Sequence, residues 1–359
     1  MSDLPEYSYV GVENLIKDKG GVSFSRTVQN IDSAIEVLEN DVLIGNIRPY
    51  LRKIWLSDRN VGASGDVVVI RINPDYVDKL SPTYLYAVLS SDSFFDYDNA
   101  NTKGAKMPRG DRKVIANYVI PIPPLSEQSR IVSELDLLQS IIDKQQAQLK
   151  ELDNLAQAVF YDMFGDPVEN EKGWEIKRLE KIGKVITGNT PSTKDEENYS
   201  SNDYCFVKPS DIAKEGVSII DSTEFHISTK AYNQSRQLPK GSVLTTCIGI
   251  IGKVGILKQS ATCNQQINAI IPSDIVEPYY LAYTMIGIRS LLEAMANAPV
   301  VPIINKGDFS KVEIPVPPLS LQQSFAEKIE SIEKQKAAIS QSIEETQKLF
   351  DYTMDNYFG

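Results

Sequence analysis

Apolar residues recur every three or four positions along two long stretches of this chain. The first stretch carries Ile131, Leu135, Leu138, Ile142, Leu149, Leu152, Ala156, Val159 and Met163, with Gln145 interrupting the series. The second carries Phe325, Ile329, Ile332, Ile339, Ile343, Phe350 and Tyr357, with Lys336, Thr346 and Thr353 in seam positions. A mean step of 3.5 residues is the spacing of a coiled-coil seam. Neither stretch contains proline or glycine before its terminal glycine, so each predicts one unbroken helix. From 126 to 164 is 39 residues, and at about 1.5 Å per residue such a helix is roughly 58 Å long. Helices of that length serve as spacers or assembly surfaces. Gln145 and Lys336, one per helix, are expected to set the register.

The two stretches are copies. Residues 119–128 read VIPIPPLSEQ and residues 313–322 read EIPVPPLSLQ, identical at seven of ten positions at an offset of 194. The offset holds to the end, where Phe164-Gly165 lands on Phe358-Gly359, and back to Met107-Pro108, which lands on Val301-Pro302. A proline pair before a helix marks its start. Ser126 and Ser320 are the expected N-caps, with Gln323 completing a capping box in the second copy.

Between the helices the pattern changes. Short β-rich runs (Val42 to Ile44, Val67 to Ile70, Val243-Leu244, Ile267 to Ile271) alternate with Gly, Asn and Pro, and helical stretches are expected at about Pro82–Ser90 and Pro278–Met295. The globular segments share a weak plan, with Tyr9-Val10 and Asn14-Leu15 matching Phe206-Val207 and Asp211-Ile212. The expected fold is α+β: two mixed α/β domains separated by two long helices that form an antiparallel coiled coil, a pseudo-two-fold internal repeat. The expected boundaries are 1–118, a first globular domain short at its N-terminal side; 119–165, a helical spacer; 166–312, a second globular domain; and 313–359, a second spacer. Antiparallel pairing would place one domain at each end of the helical pair, facing opposite ways. That geometry suits two separated half-sites on a duplex.

Charge first argues against nucleic acid, since 37 basic and 48 acidic residues leave −11. The distribution removes the objection. Segments 126–164 and 320–359 hold −4 and −3, while 1–125 and 165–319 hold only −2 each. Three cysteines in 359 residues predict a reducing, cytoplasmic location, and the opening residues carry no basic-then-apolar leader. The stretch Asn101–Lys113 has five basic residues, one acid and two glycines, and reads as a flexible basic loop. The candidate DNA-binding residues in the first domain are Arg48, Tyr50, Arg52, Lys53, Lys103, Lys106, Arg109, Arg112 and Lys113. In the second domain they are Lys230, Arg236, Lys253 and Lys306. For any one of them a solvated surface is the bland alternative.

A search for catalysis finds little. No GxGxxG or GxxxxGK[ST] is present, and the Pro-Pro pairs lack the polar and aromatic flanks that would hold a flipped base. Gly249 to Lys253 reads as a turn. His226 has no cysteine or carboxylate at catalytic or ligand spacing, and Cys205, Cys247 and Cys263 have no CxxC spacing, so neither metal nor cofactor is expected in the chain. Asp195-Glu196-Glu197 reads as a solvated loop.

The PIPPLSEQ boundary, the helix ending FYDMFGDP and the following GW…TGNTPST together resemble the specificity subunit of type I restriction-modification systems. Gly188 to Ser192, Cys263 to Ala269 and Arg48-Pro49-Tyr50 resemble common stretches of its recognition domains. The resemblance covers nearly the whole chain. It implies a non-catalytic DNA-binding subunit in which each recognition domain reads one half of a bipartite double-stranded target. The paired helices would fix the gap and dock two modification subunits. S-adenosylmethionine and ATP with Mg would belong to modification and restriction partners, and no membrane is implied. The first half departs from the pattern, since nothing in it matches Trp174–Asp203. The competing reading is a coiled-coil protein scaffold that binds no DNA.

Overall fold

The computed structural model describes residues 9–24, 34–104, 106–296 and 301–359. The opening residues used to judge a leader, and Ala105 of the basic stretch, lie outside these. The chain divides into two compact units. One comprises Met1–Gln146 with Gln341–Gly359, the other Ala147–Ser340. Each unit holds one globular part and half of each long helix.

The helices run Leu125–Phe164 and Leu319–Phe358, 40 residues each. They start two residues earlier than serine N-caps would place them. The carbonyl of Pro124 accepts from the amides of Glu127 and Gln128, and that of Pro318 from Leu321 and Gln322. Proline therefore stands at each helix mouth, Ser126 and Ser320 lie inside the first turn, and the expected capping box is absent. Proline fits there because its missing N–H would have had no helical partner.

Within each unit the helix halves pair antiparallel. In the first, Gln145 Nε2 donates to Ser342 Oγ at 2.7 Å and Tyr357 Oη donates to Glu134 at 2.8 Å, so the partner number falls as the first rises. In the second, Lys336 Nζ lies 2.7 Å from Asp153 and 3.0 Å from Glu333. Both predicted register residues thus make polar contacts across the seam. Ile131, Leu135, Ile142, Ala156, Phe325, Ile329 and Ile332 are buried, and Leu138, Leu149, Leu152, Val159, Ile339, Ile343 and Phe350 are half-buried. Phe160, Phe164, Met354 and Phe358, at the matching closing turns, are buried as well.

A duplicated glutamine joins helix to domain. Gln128, fully buried, accepts the Ser81 amide at 2.8 Å and donates to the carbonyls of Lys79 and Pro123 at 2.6 and 2.7 Å. Gln322 does the same with the Glu277 amide and the Ile275 and Pro317 carbonyls at 2.8, 3.2 and 2.8 Å. Each glutamine satisfies backbone groups that would otherwise be buried unpaired. Tyr84 meets Phe358 in the first core at 5.7 Å between ring centroids, as Tyr280 meets Phe164 in the second at 4.7 Å.

The second unit contains a five-stranded sheet in the order Val217–Ile220, Val254–Leu257, Val243–Thr246, Ile267–Pro272, Gly183–Thr187. The first has the counterpart Ile54–Leu56, Val42–Gly45, Val67–Ile70. Among the described residues nothing there takes the place of Gly183–Thr187, as the missing sequence implied. The predicted helix over Pro278–Met295 is two helices, Pro278–Gly287 and Arg289–Met295. No helix among the described residues is long and apolar enough to cross a membrane.

Candidate nucleic-acid interface

Strand register brings three loops of the second unit to one end of its sheet. Thr246 pairs with Ile267, and Asn268 with Thr187. The loops beyond these residues therefore share an edge. Gly188 sits so tightly there that a Cβ would lie 2.2 Å from the Asn264 carbonyl oxygen, which excludes any side chain. The Asn189 amide donates to Cys263 O at 2.9 Å, Thr190 Oγ1 to Gln265 Oε1 at 2.6 Å and Thr187 Oγ1 to Asn268 Oδ1 at 2.6 Å. The GNT and CNQQIN stretches, 75 residues apart, are thus one structural element.

Beside them opens a cleft of about 630 Å³ whose lining includes Lys184, Arg236 and Lys306 and no carboxylate. Arg236 is held in place: its amide donates to Asn189 Oδ1 at 2.9 Å and its guanidinium to Thr187 O at 2.7 Å. Thr187, Asn233, Ser235 and Gln237 add neutral hydrogen-bonding groups. Three cations and several amides around an open cleft suit a phosphate backbone.

The first unit repeats the framework with different side chains. Asn46 N donates to Asp66 O as Cys247 N does to Gln266 O. Arg48 N donates to Pro108 O as Gly249 N does to Pro302 O. Gly110 N donates to Asn46 O as Ile304 N does to Cys247 O. The basic stretch is therefore not a free loop. Lys103 and Arg109 exchange backbone hydrogen bonds of 2.9 and 3.0 Å, making a hairpin docked on the strand end. Lys103 pairs with Asp111 at 2.6 Å, Arg109 with Asp66 at 3.1 Å, and Arg112 donates to Gly65 O. Burying no charge, these exposed pairs leave the cations available. Arg48, Lys106 and Lys113 are exposed and form no ion pair among the described residues. Arg48 and Arg52 hold left-handed φ values of 54° and 49° on either side of Pro49–Leu51. That turn leaves Tyr50 53% exposed, and the hairpin's Met107 is 51% exposed. Left-handed non-glycine residues are costly and cluster at functional loops.

Asp98 lies fully buried under this hairpin. A Cβ on Gly110 would be 2.7 Å from Asp98 Oδ1 and 2.8 Å from Asn46 Oδ1. Burial pushes the Asp98 carboxyl up to about 6. In the second unit the matching places of Asn46 and Gly110 are taken by Cys247 and Ile304, both buried.

Other candidates are engaged elsewhere. Lys53 Nζ donates to Val12 O at 2.7 Å, and Lys253, at the corresponding position, donates to Pro209 O and Ile212 O at 2.7 Å each. Both tie a loop to a strand. Arg52 pairs with Asp92 at 2.8 Å. Lys230 sits between Asp195 and Glu197 at 2.8 and 2.6 Å, so the acidic loop has a cation at its centre. The structure thus gathers Arg48, Tyr50, Lys103, Lys106, Arg109, Arg112 and Lys113 in one unit, and Arg236 with Lys306 in the other. Lys184 was missed by sequence reasoning because it stands alone on a strand. Its place just before TGNT is the only signal.

His226 does have a cysteine neighbour, contrary to its sequence spacing. Strand pairing places Cys205 Sγ 3.9 Å from His226 Nε2. The other thiols, Cys247 and Cys263, are pushed up to about 12 by burial. Among the described residues no three His, Cys, Asp or Glu side chains are grouped to hold a metal.

Known proteins share these features. The family model for the type I restriction modification DNA specificity domain matches residues 3–154 and again 171–347. The HindI specificity subunit of Haemophilus influenzae, a type I restriction enzyme subunit, is 32% identical over 177 residues, 48% of this chain and 38% of that protein. The MjaIX specificity subunit of Methanocaldococcus jannaschii is 35% identical over 162 residues, 43% of this chain and 37% of that protein. These matches span about two fifths of either relative. A solved chain described under complex assembly and conformational transition of the type I R-M system has the same fold. Its TM-score is 0.64 at 23% identity, over 98% of this chain and 91% of that one.

Proposed function

Because the chain belongs to the family of type I restriction modification DNA specificity domains, we propose that it is the non-catalytic subunit that chooses the DNA target of a type I complex. Each unit reads one half of a bipartite double-stranded site with the loops at its sheet end. The observation that carries this reading is the repeated framework itself. One backbone scaffold occurs twice, with Arg48, Tyr50, Lys106 and Arg109 on one copy and Lys184, Arg236 and Lys306 beside the other. Different side chains on a common scaffold are what two different half-sites require.

The helices carry the second part of the proposal, docking of two modification subunits. Leu155 and Leu349 occupy equivalent places, 194 residues apart, and are 48% and 51% exposed. The repetition of this exposed apolar residue at the same place on both helices supports a repeated partner surface. S-adenosylmethionine and ATP with Mg would be bound by the modification and restriction partners.

The test is DNA binding by the chain co-expressed with its modification subunit, measured across salt concentrations. The expected affinity falls steeply with salt, by about 10³-fold or more between 50 and 200 mM. Charge reversal at Lys106, Arg109 and Arg112 should weaken binding and leave subunit assembly intact. Salt-independent or absent DNA binding by the assembled complex would favour the scaffold reading instead.

A further inference from the structure

The two units also repeat a cleft between the globular part and the helix pair, and the two copies are unequally filled. In the second unit Tyr283 and Ile286 occupy it. Tyr283 stacks near Phe160, 6.1 Å between centroids, and only about 290 Å³ remains. The helix Pro82–Leu89 aligns with Pro278–Gly287 residue by residue, from Pro82 on Pro278 and Tyr84 on Tyr280. Tyr283 then corresponds to Ala87 and Ile286 to Ser90. With those small residues, and with Tyr86 in the wall where the second unit has Ala282, the first unit's cleft holds about 810 Å³.

Its chemistry is specific. The floor is apolar, from Leu135, Ile142, Phe350 and Met354. The two cations in its wall, Lys19 and Arg52, both bind Asp92, at 3.2 and 2.8 Å. Asp136 and Asp351 stand exposed in its lining and form no ion pair among the described residues. The Ser90 hydroxyl is buried beside Tyr86. An acidic lining disfavours DNA and favours a cationic visitor.

We infer that this cleft is a socket for a segment of the modification subunit that presents an aromatic side chain next to a lysine or arginine. The visitor fills in trans the space that Tyr283 fills in cis in the other unit. This inference rests on the function proposed above. It has a consequence for assembly: two identical modification subunits meet one open and one closed socket, so they bind with unequal affinity, the first unit first.

Titrating purified modification subunit into the full-length chain, followed by native mass spectrometry and calorimetry, tests this. Wild type should show two steps of different affinity. Ala87→Tyr should weaken the tighter step by about tenfold or more and leave the weaker one unchanged. The exposed double variant Asp136→Lys/Asp351→Lys should act in the same direction without entering the core, which guards against a folding defect in Ala87→Tyr. Two equal steps in wild type, or steps unmoved by both variants, would overturn the socket. So would self-association of the chain alone that Ala87→Tyr abolishes, since the occupant would then be a second copy. No binding of the modification subunit at all would overturn the proposed function as well.

Discussion

Gln128 and Gln322 show what one residue does in this fold. Each is a polar side chain with no exposed surface, and each ends the exposure of three backbone groups at the junction of helix and domain. Alanine at either position would leave those groups buried and unpaired, at a cost of about 2–4 kcal/mol. Urea unfolding of the two variants should show losses of similar size. The sequence repeat displayed both glutamines, but their role was not legible, because their partners at 79–81 and 275–277 are some 45 residues away. Asp98 is a second case. Burial raises its carboxyl from 3.8 to about 6, so the folded state binds the proton more tightly than the unfolded chain. Its contribution is therefore fully present below about pH 4 and is lost as pH rises through 6. The loss above pH 6 is about 3 kcal/mol at 1.4 kcal/mol per pH unit. Asp98→Asn should flatten that part of the profile and raise stability at pH 8, measured by denaturation at pH 4.5 and pH 8. A profile that keeps its slope would mean that Asp98 has a donor in solution.

At the scale of elements, periodicity carried far. The two helices, their seam and both register residues could be read from a 3.5-residue step, because burial of a stripe is a local property of a helix, whereas that step leaves open whether the helices pair parallel or antiparallel. The strands were found as short runs, and their order was not, since pairing joins residues distant in sequence. The same limit explains the basic stretch: its glycines suggested a free loop, whereas the hydrogen bonds to Asn46 and Arg48 fix it to a strand 60 residues earlier. Strand pairing likewise hid the neighbourhood of Cys205 and His226. The seam makes a direct prediction. Ile329 is fully buried and Ile332 nearly so, at 5% exposed. Replacing either with Asp should cost about 3–5 kcal/mol and abolish assembly with the modification subunit. Unchanged thermal unfolding and assembly would contradict a buried seam.

For the whole molecule, the decisive feature is duplication with divergence. The glutamine junction, seam, sheet-end framework and cleft all occur twice, while the side chains facing outward at the sheet ends differ. The exposed leucines belong to the part that is repeated. Leu155→Asp and Leu349→Asp should each remove one docked modification subunit, read as a fall from two to one by light scattering of the purified complex. Two subunits retained in both variants would move the docking surface elsewhere. The candidate site was half legible in the sequence. The cation-rich hairpin announced itself by composition, but the cleft of the second unit joins Lys184, Arg236 and Lys306 from three separated segments, and no local pattern links them.

In the proposed function this chain selects a two-part DNA target, one part per unit. Sequencing of methylated bases in the host genome, with the gene present, deleted and restored with Lys106→Glu/Arg109→Glu, tests it most directly. A bipartite methylated motif should disappear on deletion and, in the variant, be lost or relaxed in one half only. A methylation pattern unchanged by deletion, in cells where the chain is made and assembled with its modification subunit, would contradict it.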